Sequence, residues 1–322
     1  MRKPTVLHGS HNYFIAGGSD RYFLELGELL SLHGHKVIPF CAASDRNEET
    51  EYSQYFPSAV DPQNPKSTDI FRFLYSREAR HHIQRAIAEQ APEIAHLHIY
   101  YGKLTASILG PLRDSGIPVV QTLHEYKLLC PVYTCVRDDV ICEDCQGRHF
   151  WKAGLYRCNR GSVARSIASA AESYVSKWLG SLQNIDHFIG VSQFMTDKMR
   201  SIGVPADKIS TVHNFVDTSA FRPADETGDY VLYFGRLEKT KGLFTLLEAL
   251  RPNPGLRCVI AGAGPAELML RSLAAEYELT NVEFPGFVSG DALHDLIRGC
   301  VCTVLPSEWF ENCPMSVLES LA

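Results

Sequence analysis

The sequence predicts an α/β protein with parallel sheets, on three observations. Short runs rich in β-branched and other apolar residues recur along nearly all of the 322 residues. Amphipathic, helix-length segments separate these runs, and this spacing is typical of parallel strands joined by helical crossovers. A polar stretch at 217–229, with Pro223 and Gly228, divides the alternation into two parts. We therefore expect two doubly wound domains, at 1–217 and 218–322.

The first domain is expected to contain six strands. They are predicted at 5–8, 37–41, 94–99, 119–123, 188–191 and 209–213. The helix after the first strand is expected to be capped by Ser19 and to stop at Gly34, because serine is a good N-cap and glycine a good helix terminator. Another helix is predicted to begin at Gln193, directly after a strand.

Residues 161–182 fit one amphipathic helix. Its larger side chains fall near one stripe, at Val163, Ile167, Ala171, Tyr174, Trp178 and Leu182. Basic residues lie around the stripe, at Arg160, Arg165 and Lys177. We expect the helix to pack on its own domain through this stripe, and peripheral association with a membrane surface is the alternative.

The second domain is predicted to alternate strand and helix from its first residues. The strands are expected at 230–234, 256–261, 282–284 and 302–305, and the helices at 244–250, 266–278 and 291–299. A final helix is expected to begin near Pro314, because proline suits the first helical turn, where its missing N–H is not needed. Asn312 or Cys313 would then be its N-cap.

Composition narrows the classes of function. The formal net charge is −6 and the isoelectric point about 6.1, so no basic field indicates nucleic acid binding. The N-terminus has no apolar run typical of a signal peptide, and no stretch has the roughly 18 apolar residues of a membrane span. We therefore expect a cytoplasmic protein, at the inner face of the membrane if the 161–182 helix binds lipid. Ten cysteines in such a chain are expected to be thiols or metal ligands.

Two loops of the second domain carry cations or glycines after a strand. In FGRLEKTKG, Arg236 and Lys241 follow a strand at the sheet edge where α/β proteins bind ligands, and the pair suits a diphosphate. A solvated basic loop is the alternative. In IAGAGP, Gly262 and Gly264 favour a tight turn over close ligand approach.

The segment ENCPMSVLE brings two carboxylates to the expected last helix. Glu311 precedes the helix, and Glu319 lies within it. A helix N-terminus favours anions, and carboxylates accept hydrogen bonds from sugar hydroxyls. The spacing of the two glutamates alone is close to chance, whereas its combination with Arg236 and Lys241 is much rarer.

Together these motifs resemble retaining glycosyltransferases of family 4. The matching segments are GGSDRYFLELGELLSLHGHKV, HLH, QTLHEYKLLCP, GVSQF, VHNFVD, FGRLEKTKG, IAGAGP, PGFVS and PSEWFENCPMSVLESLA, in that order along nearly the whole chain. The resemblance implies a GT-B fold, in which two Rossmann-like domains with parallel sheets face a cleft that binds a sugar nucleotide. Members continue beyond the glutamate helix, so we expect the second domain to be incomplete.

The resemblance also implies roles for individual residues. Arg236 and Lys241 would bind the donor diphosphate, and Glu311 would contact the transferred sugar. The positions expected to assist are Gly17 and Gly18 at the donor phosphates, Phe287 and Val288 at the base through their backbone, Asn312, Cys313, Pro314 and Met315 at the sugar through their backbone, Glu319 at the ribose, and His124 beside the sugar. No catalytic metal is expected. The acceptor would be a glycan or a lipid-linked glycan.

Two groups in the first domain could ligate a metal. Cys142 and Cys145 form a C-x-x-C pair within an insertion at 130–158, and Cys130 and Cys158 flank it. Four such thiolates suit a structural zinc, with Cys135 able to replace Cys130 and metal-free thiols as the alternative. His96 and His98 alternate on one strand, and we expect packing or acceptor contacts, because no third ligand is evident.

The predicted function is therefore transfer of a sugar from a nucleoside diphosphate to an acceptor hydroxyl with retention of configuration, in polysaccharide or glycolipid assembly. A truncated, non-catalytic module that binds sugar nucleotides is the first alternative. A sugar-nucleotide epimerase is the second, and the family 4 motifs argue against it.

Overall fold

The computed structural model describes residues 2–59, 69–224 and 228–322. The chain forms two compact units, Met1–Arg137 with Cys142–His213 and Asp138–Ile141 with Asn214–Ala322. The main sheet of each unit is parallel, which confirms the predicted α/β fold. The polar stretch predicted as a linker includes residues 225–227, which lie outside the described residues.

The first unit is built on a six-stranded parallel sheet. In chain order, the strands up to residue 211 are β1 (Val6–Gly9), β2 (Val37–Phe40), β3 (Ile94–Leu97), β4 (Val119–Leu123), β5 (Val136–Arg137), β6 (Val140–Ile141), β7 (His187–Gly190) and β8 (Ile209–Thr211). Of these, β6 lies in the segment Asp138–Ile141, which belongs to the second unit. The sheet order is β2-β1-β3-β4-β7-β8, and β5 and β6 form a separate two-stranded sheet. Strands β2 and β3 lie on opposite sides of β1, so the loops after β1 and β3 meet at a topological switch point.

Seven helices connect the strands of this unit in its described part. They are α1 (Gly18–Leu32), α2 (Asp69–Leu74), α3 (Arg77–Gln90), α4 (Leu109–Asp114), α5 (Trp151–Leu155), α6 (Val163–Trp178) and α7 (Gln193–Ser201). The prediction that Ser19 caps the first helix is wrong. Helix α1 begins at Gly18, and the extended Gly17 is its N-cap, whose carbonyl accepts from the Arg21 N–H at 3.1 Å. Ser19 therefore lies inside the first turn.

Helix α6 packs on its own unit, but through the face opposite to the predicted stripe. Its buried side chains are small or polar, at Ser166, Ser169, Ala170, Glu172, Ser173 and Ser176. Glu172 is buried because it pairs with Lys127 at 2.7 Å, and the serines allow close approach. The predicted stripe is largely exposed, and Trp178 is 86% accessible.

The second unit has a four-stranded parallel sheet. Its elements are β9 (Tyr230–Phe234), α8 (Leu243–Leu250), β10 (Arg257–Ala261), α9 (Glu267–Glu276), β11 (Val282–Gly286), α10 (Asp291–Arg298), β12 (Cys302–Thr303) and α11 (Met315–Leu321). The sheet order is β11-β10-β9-β12. The switch point lies between β9 and β12, because the chain passes from β9 to β10 on one side and returns to β12 on the other. Apolar residues on both faces of the sheet, including Leu232, Tyr233, Val259 and Ile260, are buried.

The described residues contain no helix of the length and hydropathy needed to cross a bilayer.

Candidate functional site

The loops that follow β9 and β12 meet at the switch point of the second unit. Lys241 ends the loop after β9, and Glu311 lies in the loop after β12. Because β9 and β12 are direct neighbours, their carboxyl ends bring these side chains together. The Lys241 ammonium donates to Glu311 Oε1 at 2.6 Å. The structure thus joins two residues that are 70 positions apart and were predicted for one site.

The same oxygen of Glu311 accepts two further hydrogen bonds. Ser307 Oγ donates at 2.6 Å and Trp309 Nε1 at 2.8 Å. The Lys241 ammonium also lies 4.9 Å from the centre of the Trp309 ring, within reach of a cation–π interaction. Burial alone would raise the pKa of Glu311, but the charge of Lys241 and these hydrogen bonds outweigh burial and lower it. Glu311 is therefore an ionised, oriented carboxylate.

Sequence analysis did not identify Ser307 and Trp309. Both lie in PSEWFENCP, four and two residues before Glu311. The sequence did contain a signal for their role, because both are hydrogen-bond donors within four residues of a carboxylate that was predicted for the site.

Glycines allow the loops around the switch point to pack closely. Gly242 has a φ of 69°, and a Cβ there would lie 1.8 Å from the Pro306 carbonyl oxygen. A Cβ on Gly262 would lie 1.9 Å from the Gly235 carbonyl oxygen, and one on Gly264 would lie 2.3 Å from that of Leu237. The glycine pair of IAGAGP therefore permits backbone packing against the loop after β9, which agrees with the turn that the sequence favoured.

Arg236 lies in the loop after β9 but interacts differently from Lys241. Its guanidinium pairs with Glu238 at 3.0 Å, and its side chain is 54% accessible. Its backbone carbonyl accepts from the Tyr233 hydroxyl at 2.8 Å. Arg236 is thus a solvent-exposed cation on a loop whose backbone is anchored to β9.

The last helix begins one residue later than predicted. Pro314 is the N-cap of α11, with a ψ of 127°, and neither Asn312 nor Cys313 has that role. Proline can occupy this position because its carbonyl accepts the first helical bond, from Val317 N at 3.1 Å. Glu319 lies in the second half of the helix and is buried. Its role at a ribose stays a prediction.

The PGFVS segment leaves β11 through a left-handed glycine. Gly286 has a φ of 84°, Phe287 is exposed, and Val288 packs against the buried cluster around Leu232 and Phe234. The loop therefore presents one aromatic side chain while its neighbour holds it to the core.

In the first unit, Asp20 organises the loop after β1. Its carboxylate is buried and accepts from His11 Nε2 at 3.2 Å, Asn12 Nδ2 at 3.1 Å and the Ala16 N–H at 3.2 Å. These bonds fix the approach to the glycine pair at the start of α1, where a Cβ on Gly17 would meet nothing within 4 Å. Burial would raise the pKa of Asp20, but the bonds lower it.

A chain of imidazoles lies at the carboxyl edge of the first sheet. His8 Nε2 and His98 Nε2 are 2.8 Å apart, and His98 Nδ1 is 2.9 Å from His124 Nε2. Burial lowers the pKa of His124 to about 3 and holds those of His8 and His98 well below the usual range. Each ring is therefore neutral and carries one N–H, so the tautomer of one histidine restricts that of the next.

His96 lies next to these histidines, so the possibility of a metal site has to be considered again. Ligand atoms of His8, His96 and His98 lie within 4.8 Å of one another, so His8 is the third imidazole that the sequence did not reveal. His96 Nε2 instead bonds Thr122 Oγ1 at 2.8 Å. Two nitrogens on one zinc are about 3.3 Å apart, given Zn–N distances of about 2.05 Å. The 2.8 Å between His8 and His98 is therefore a direct hydrogen bond.

Glu125, next to His124, is another residue that the sequence did not reveal. Burial raises its pKa to about 7, although nearby His11 and Lys127 act in the opposite direction. Near neutral pH this carboxyl group can exist in either protonation state, which a general acid or base requires. Its position in TLHEYK gave no signal, because the shift in its pKa arises from burial.

The cysteines of the insertion surround one cavity. Cys130, Cys135, Cys142, Cys145 and Cys158 all line a space of about 450 Å³, together with His149 and Lys198. Lys198 also pairs with Glu143, and Arg137 with Asp144 at 2.8 Å. The five thiols predicted as a cluster are therefore brought together around one space.

Comparison with known proteins places the chain in a family. A family model described as Glycosyltransferase Family 4 matches residues 16–220, and one described as Glycosyl transferases group 1 matches residues 217–322. WcaL of Escherichia coli strain K12, named as a colanic acid biosynthesis glycosyltransferase, is 28% identical over 187 residues, which are 52% of this chain and 46% of WcaL. WcaI of the same strain is 27% identical over 183 residues, covering 48% of this chain and 43% of WcaI. The chain thus spans about half the length of the curated relatives it matches.

Solved structures share the fold. Anabaena HepE in complex with UDP and glucose has a TM-score of 0.61 at 15% identity, covering 99% of this chain and 78% of its own. The lipopolysaccharide outer core galactosyltransferase WaaB has a TM-score of 0.60 at 16% identity, covering 98% and 77%. These similarities confirm the GT-B fold. The model that matches residues 16–220 covers more than half of the sequence, and the chain therefore belongs to glycosyltransferase family 4.

Proposed function

We propose that this chain transfers a sugar from a nucleoside diphosphate to an acceptor hydroxyl with retention of anomeric configuration. The observation that carries the proposal is the Lys241–Glu311 network at the switch point of the second sheet. An ammonium and an oriented carboxylate at this edge suit a ligand that has both a diphosphate and hydroxyl groups.

In the proposed reaction, the bond from the acceptor oxygen to the anomeric carbon forms on the face from which the diphosphate leaves. The leaving phosphate takes the acceptor proton, so no separate base is required. Lys241 and Arg236 stabilise the departing diphosphate, and such stabilisation of developing charge is a large catalytic effect. Glu311 orients the sugar, and Glu319 holds the ribose.

The remaining predicted contacts belong to the same proposal. The backbone of Asn312 to Met315 assists Glu311, and the PGFVS loop meets the base through its backbone near Phe287 and Val288. Gly17 and Gly18 approach the donor phosphates, where the absence of a Cβ neighbour at Gly17 leaves room for a ligand. His124 lies beside the transferred sugar. The acceptor is a glycan or lipid-linked glycan, which the naming of WcaL for colanic acid biosynthesis supports by analogy.

Binding of nucleotides to the full chain tests the donor site. Calorimetry with UDP, GDP and ADP would be compared for wild type, Lys241→Ala, Arg236→Ala and the control Arg257→Ala. Arg257, like Arg236, is a partly exposed, ion-paired arginine of the second unit. It lies at the first residue of β10, and therefore at the edge of the sheet opposite to Arg236, which follows the end of β9. Because hydrogen bonds to charged groups are worth about 1.5–3 kcal/mol, each site variant should weaken binding by about 10- to 100-fold. Wild-type affinity in both site variants would refute the donor assignment.

Product analysis tests the reaction. Incubation with sugar nucleotides and a lipid-linked glycan should give a glycosylated acceptor whose anomeric proton shows the donor's configuration by NMR. Bound but unchanged nucleotide would instead support the non-catalytic module. An altered free sugar nucleotide would support an epimerase.

We further propose that α6 places the protein at the cytoplasmic face of a membrane. The exposed apolar side chains of α6 are Val163, Ile167, Tyr174 and Trp178, and those of the adjacent α5 include Trp151 and Leu155. Exposed arginines at 160 and 165 border them, and this combination suits an anionic lipid surface.

Vesicle sedimentation tests this second proposal. The chain should co-sediment with phosphatidylglycerol vesicles and less with phosphatidylcholine vesicles. Trp178→Ser with Ile167→Ser should lose binding, whereas the control Leu268→Ser, at an exposed leucine of the second unit, should retain it. Equal sedimentation of all three proteins would contradict the role of α6.

A further inference from the structure

The insertion between β4 and α6 contains a cysteine cluster that the proposed reaction does not use. Five cysteines between positions 130 and 158 line the cavity described above, and all the residues that line it belong to the first unit. The other cysteines, such as the exposed Cys302, lie outside this lining. The clustering therefore needs an explanation of its own.

The insertion has little regular structure, and the apolar cluster that buries its Cys145 and Phe150 against Ala170 of α6 is small. It contains two strands of two residues each and a helix of five. Of the ten described non-glycine residues with positive φ, seven lie between 133 and 160. A left-handed conformation costs about 1–2 kcal/mol for such a residue. Something beyond local packing must stabilise this backbone.

The backbone around the C-x-x-C pair is held in place by its own hydrogen bonds. Cys142 N donates to the Cys135 carbonyl at 2.8 Å, which pairs the two cysteines across the β5–β6 hairpin. Gln146 and Gly147, directly after Cys145, have φ values of 44° and 64°. Gly147 N donates to the Leu129 carbonyl at 3.0 Å, and the N–H groups of Arg148 and His149 donate to the Cys145 carbonyl at 2.8 Å. The backbone therefore holds the segments that carry Cys135, Cys142 and Cys145 next to one another.

The remaining thiols are close to this pair. The thiols of Cys130 and Cys135 are hydrogen-bonded to each other. The side chain of Cys145 interacts electrostatically with those of Cys130, Cys142 and Cys158. Cys130, Cys142 and Cys158 thus lie near Cys145 around the shared cavity, and Cys135 contacts Cys130.

We infer that the insertion binds one zinc ion through the thiolates of Cys130, Cys142, Cys145 and Cys158. Four thiolates give the tetrahedral, closed coordination of a structural zinc, with no position left for a substrate. The complex would carry two negative charges, and the cations Arg148 and Lys198 line the cavity, with Lys198 paired to Glu143. The site would stabilise the insertion and take no part in sugar transfer.

Zinc binding would draw the insertion together. Across the ranges 2–59, 69–224 and 228–322, no three of these sulfurs lie within 4.8 Å of one another. Sulfurs on one zinc are about 3.8 Å apart, given Zn–S distances of about 2.3 Å. The cavity of about 450 Å³ therefore has to contract around the ion. Metal binding and ordering of the insertion are then one equilibrium.

Metal analysis of the full chain tests the inference. Protein purified without chelator from zinc-supplemented medium should contain about one zinc per chain by plasma mass spectrometry, as a single four-thiolate site requires. After chelation, Co²⁺ should produce a thiolate-to-cobalt charge-transfer band and the strong d–d bands of tetrahedral sulfur coordination. These measurements use the wild-type chain, so they do not depend on a variant that folds.

Variants identify the ligands. Cys142→Ser with Cys145→Ser should abolish metal binding, whereas Cys302→Ser should retain it. Cys135→Ser should also retain the metal. If Cys135→Ser lost the metal and Cys130→Ser retained it, Cys135 and not Cys130 would be the ligand, and the assignment of Cys130 would be overturned. A wild-type chain with no zinc and no cobalt bands, with iron in place of zinc, or with these cysteines oxidised to disulfides would overturn the inference.

Discussion

The ion pair between Lys241 and Glu311 should be the more strongly coupled of two pairs in the second unit. Its side chains are 13% and 20% accessible, and Glu311 accepts two further bonds. Arg236 and Glu238 form a comparable pair at 3.0 Å, but their side chains are 54% and 30% accessible. The second pair is a matched control, because both of its residues lie in the loop that also carries Lys241 and because it has the same charges.

The magnitudes follow from burial. At 2.6 Å and an effective dielectric constant of about 20, the direct attraction is about 6 kcal/mol before desolvation. Desolvation cancels much of this, and removing one member of a fully buried pair costs about 3–5 kcal/mol. For a partly accessible pair we expect a coupling energy of about 2 kcal/mol, whereas exposed pairs give about 0.2–1 kcal/mol.

A double-mutant cycle measures this coupling. The variants Lys241→Met, Glu311→Gln and their combination would be compared by urea unfolding at pH 7. Trp151→Phe and Trp178→Phe in the background leave Trp309 as the sole tryptophan, so fluorescence reports on the second unit. An Arg236→Met/Glu238→Gln cycle is the control. A Lys241–Glu311 coupling no larger than that of the control would refute the reasoning.

Three further predictions concern pH and backbone conformation. The pKa of Glu125 in the folded chain, about 7, exceeds its unfolded value, so its contribution to the free energy of unfolding is present at low pH and lost as pH rises. Chemical unfolding of Glu125→Gln should therefore show a free energy of unfolding that rises, relative to wild type, by up to about 3 kcal/mol from pH 4 to pH 8. Burial lowers the pKa of His96 to about 4, so the free energy of unfolding falls as pH drops below about 6.5. In His96→Gln, the decrease in the free energy of unfolding from pH 7 to pH 5 should be smaller than in wild type by about 2 kcal/mol. An unchanged pH profile would contradict the burial of His96 as a neutral ring. Gly242→Ala should lower the free energy of unfolding by at least about 3 kcal/mol, because backbone strain adds to the clash of the new Cβ with the Pro306 carbonyl. Gly286 is also left-handed but has open space around it, so Gly286→Ala should lower the free energy of unfolding by about 1 kcal/mol. Similar melting temperatures of the two variants would contradict this difference.

The helical stripe at 161–182 shows where periodicity is insufficient. The pattern predicted a helix there, and α6 spans Val163–Trp178. Which face it buries depends on a partner distant in sequence. Lys127 needs a carboxylate, and Glu172 supplies it on the face of small residues. The free energy of a buried ion pair and close backbone packing is not encoded in the local pattern.

The sequence carried the information that is local in the chain. Apolar runs placed the ten strands of the two parallel sheets to within two residues at each end, because strand and helix periods are properties of neighbouring residues. The two-residue strands β5 and β6 were not predicted, because each is too short to show a period. Motif order indicated the family, and the cysteine spacing indicated the cluster. The roles assigned to individual donor contacts, such as Glu319 at the ribose, remain predictions.

Tertiary structure decided the relations between residues that are far apart in sequence. The parallel pairing of β9 with β12 brings Lys241 to Glu311, and the pairing of β1 with β3 brings His8 to His96 and His98. Burial then sets the chemistry, raising the pKa of Glu125 and lowering those of the histidines. Contact and desolvation are properties of the packed chain, whereas the sequence specifies which side chains are available to be packed.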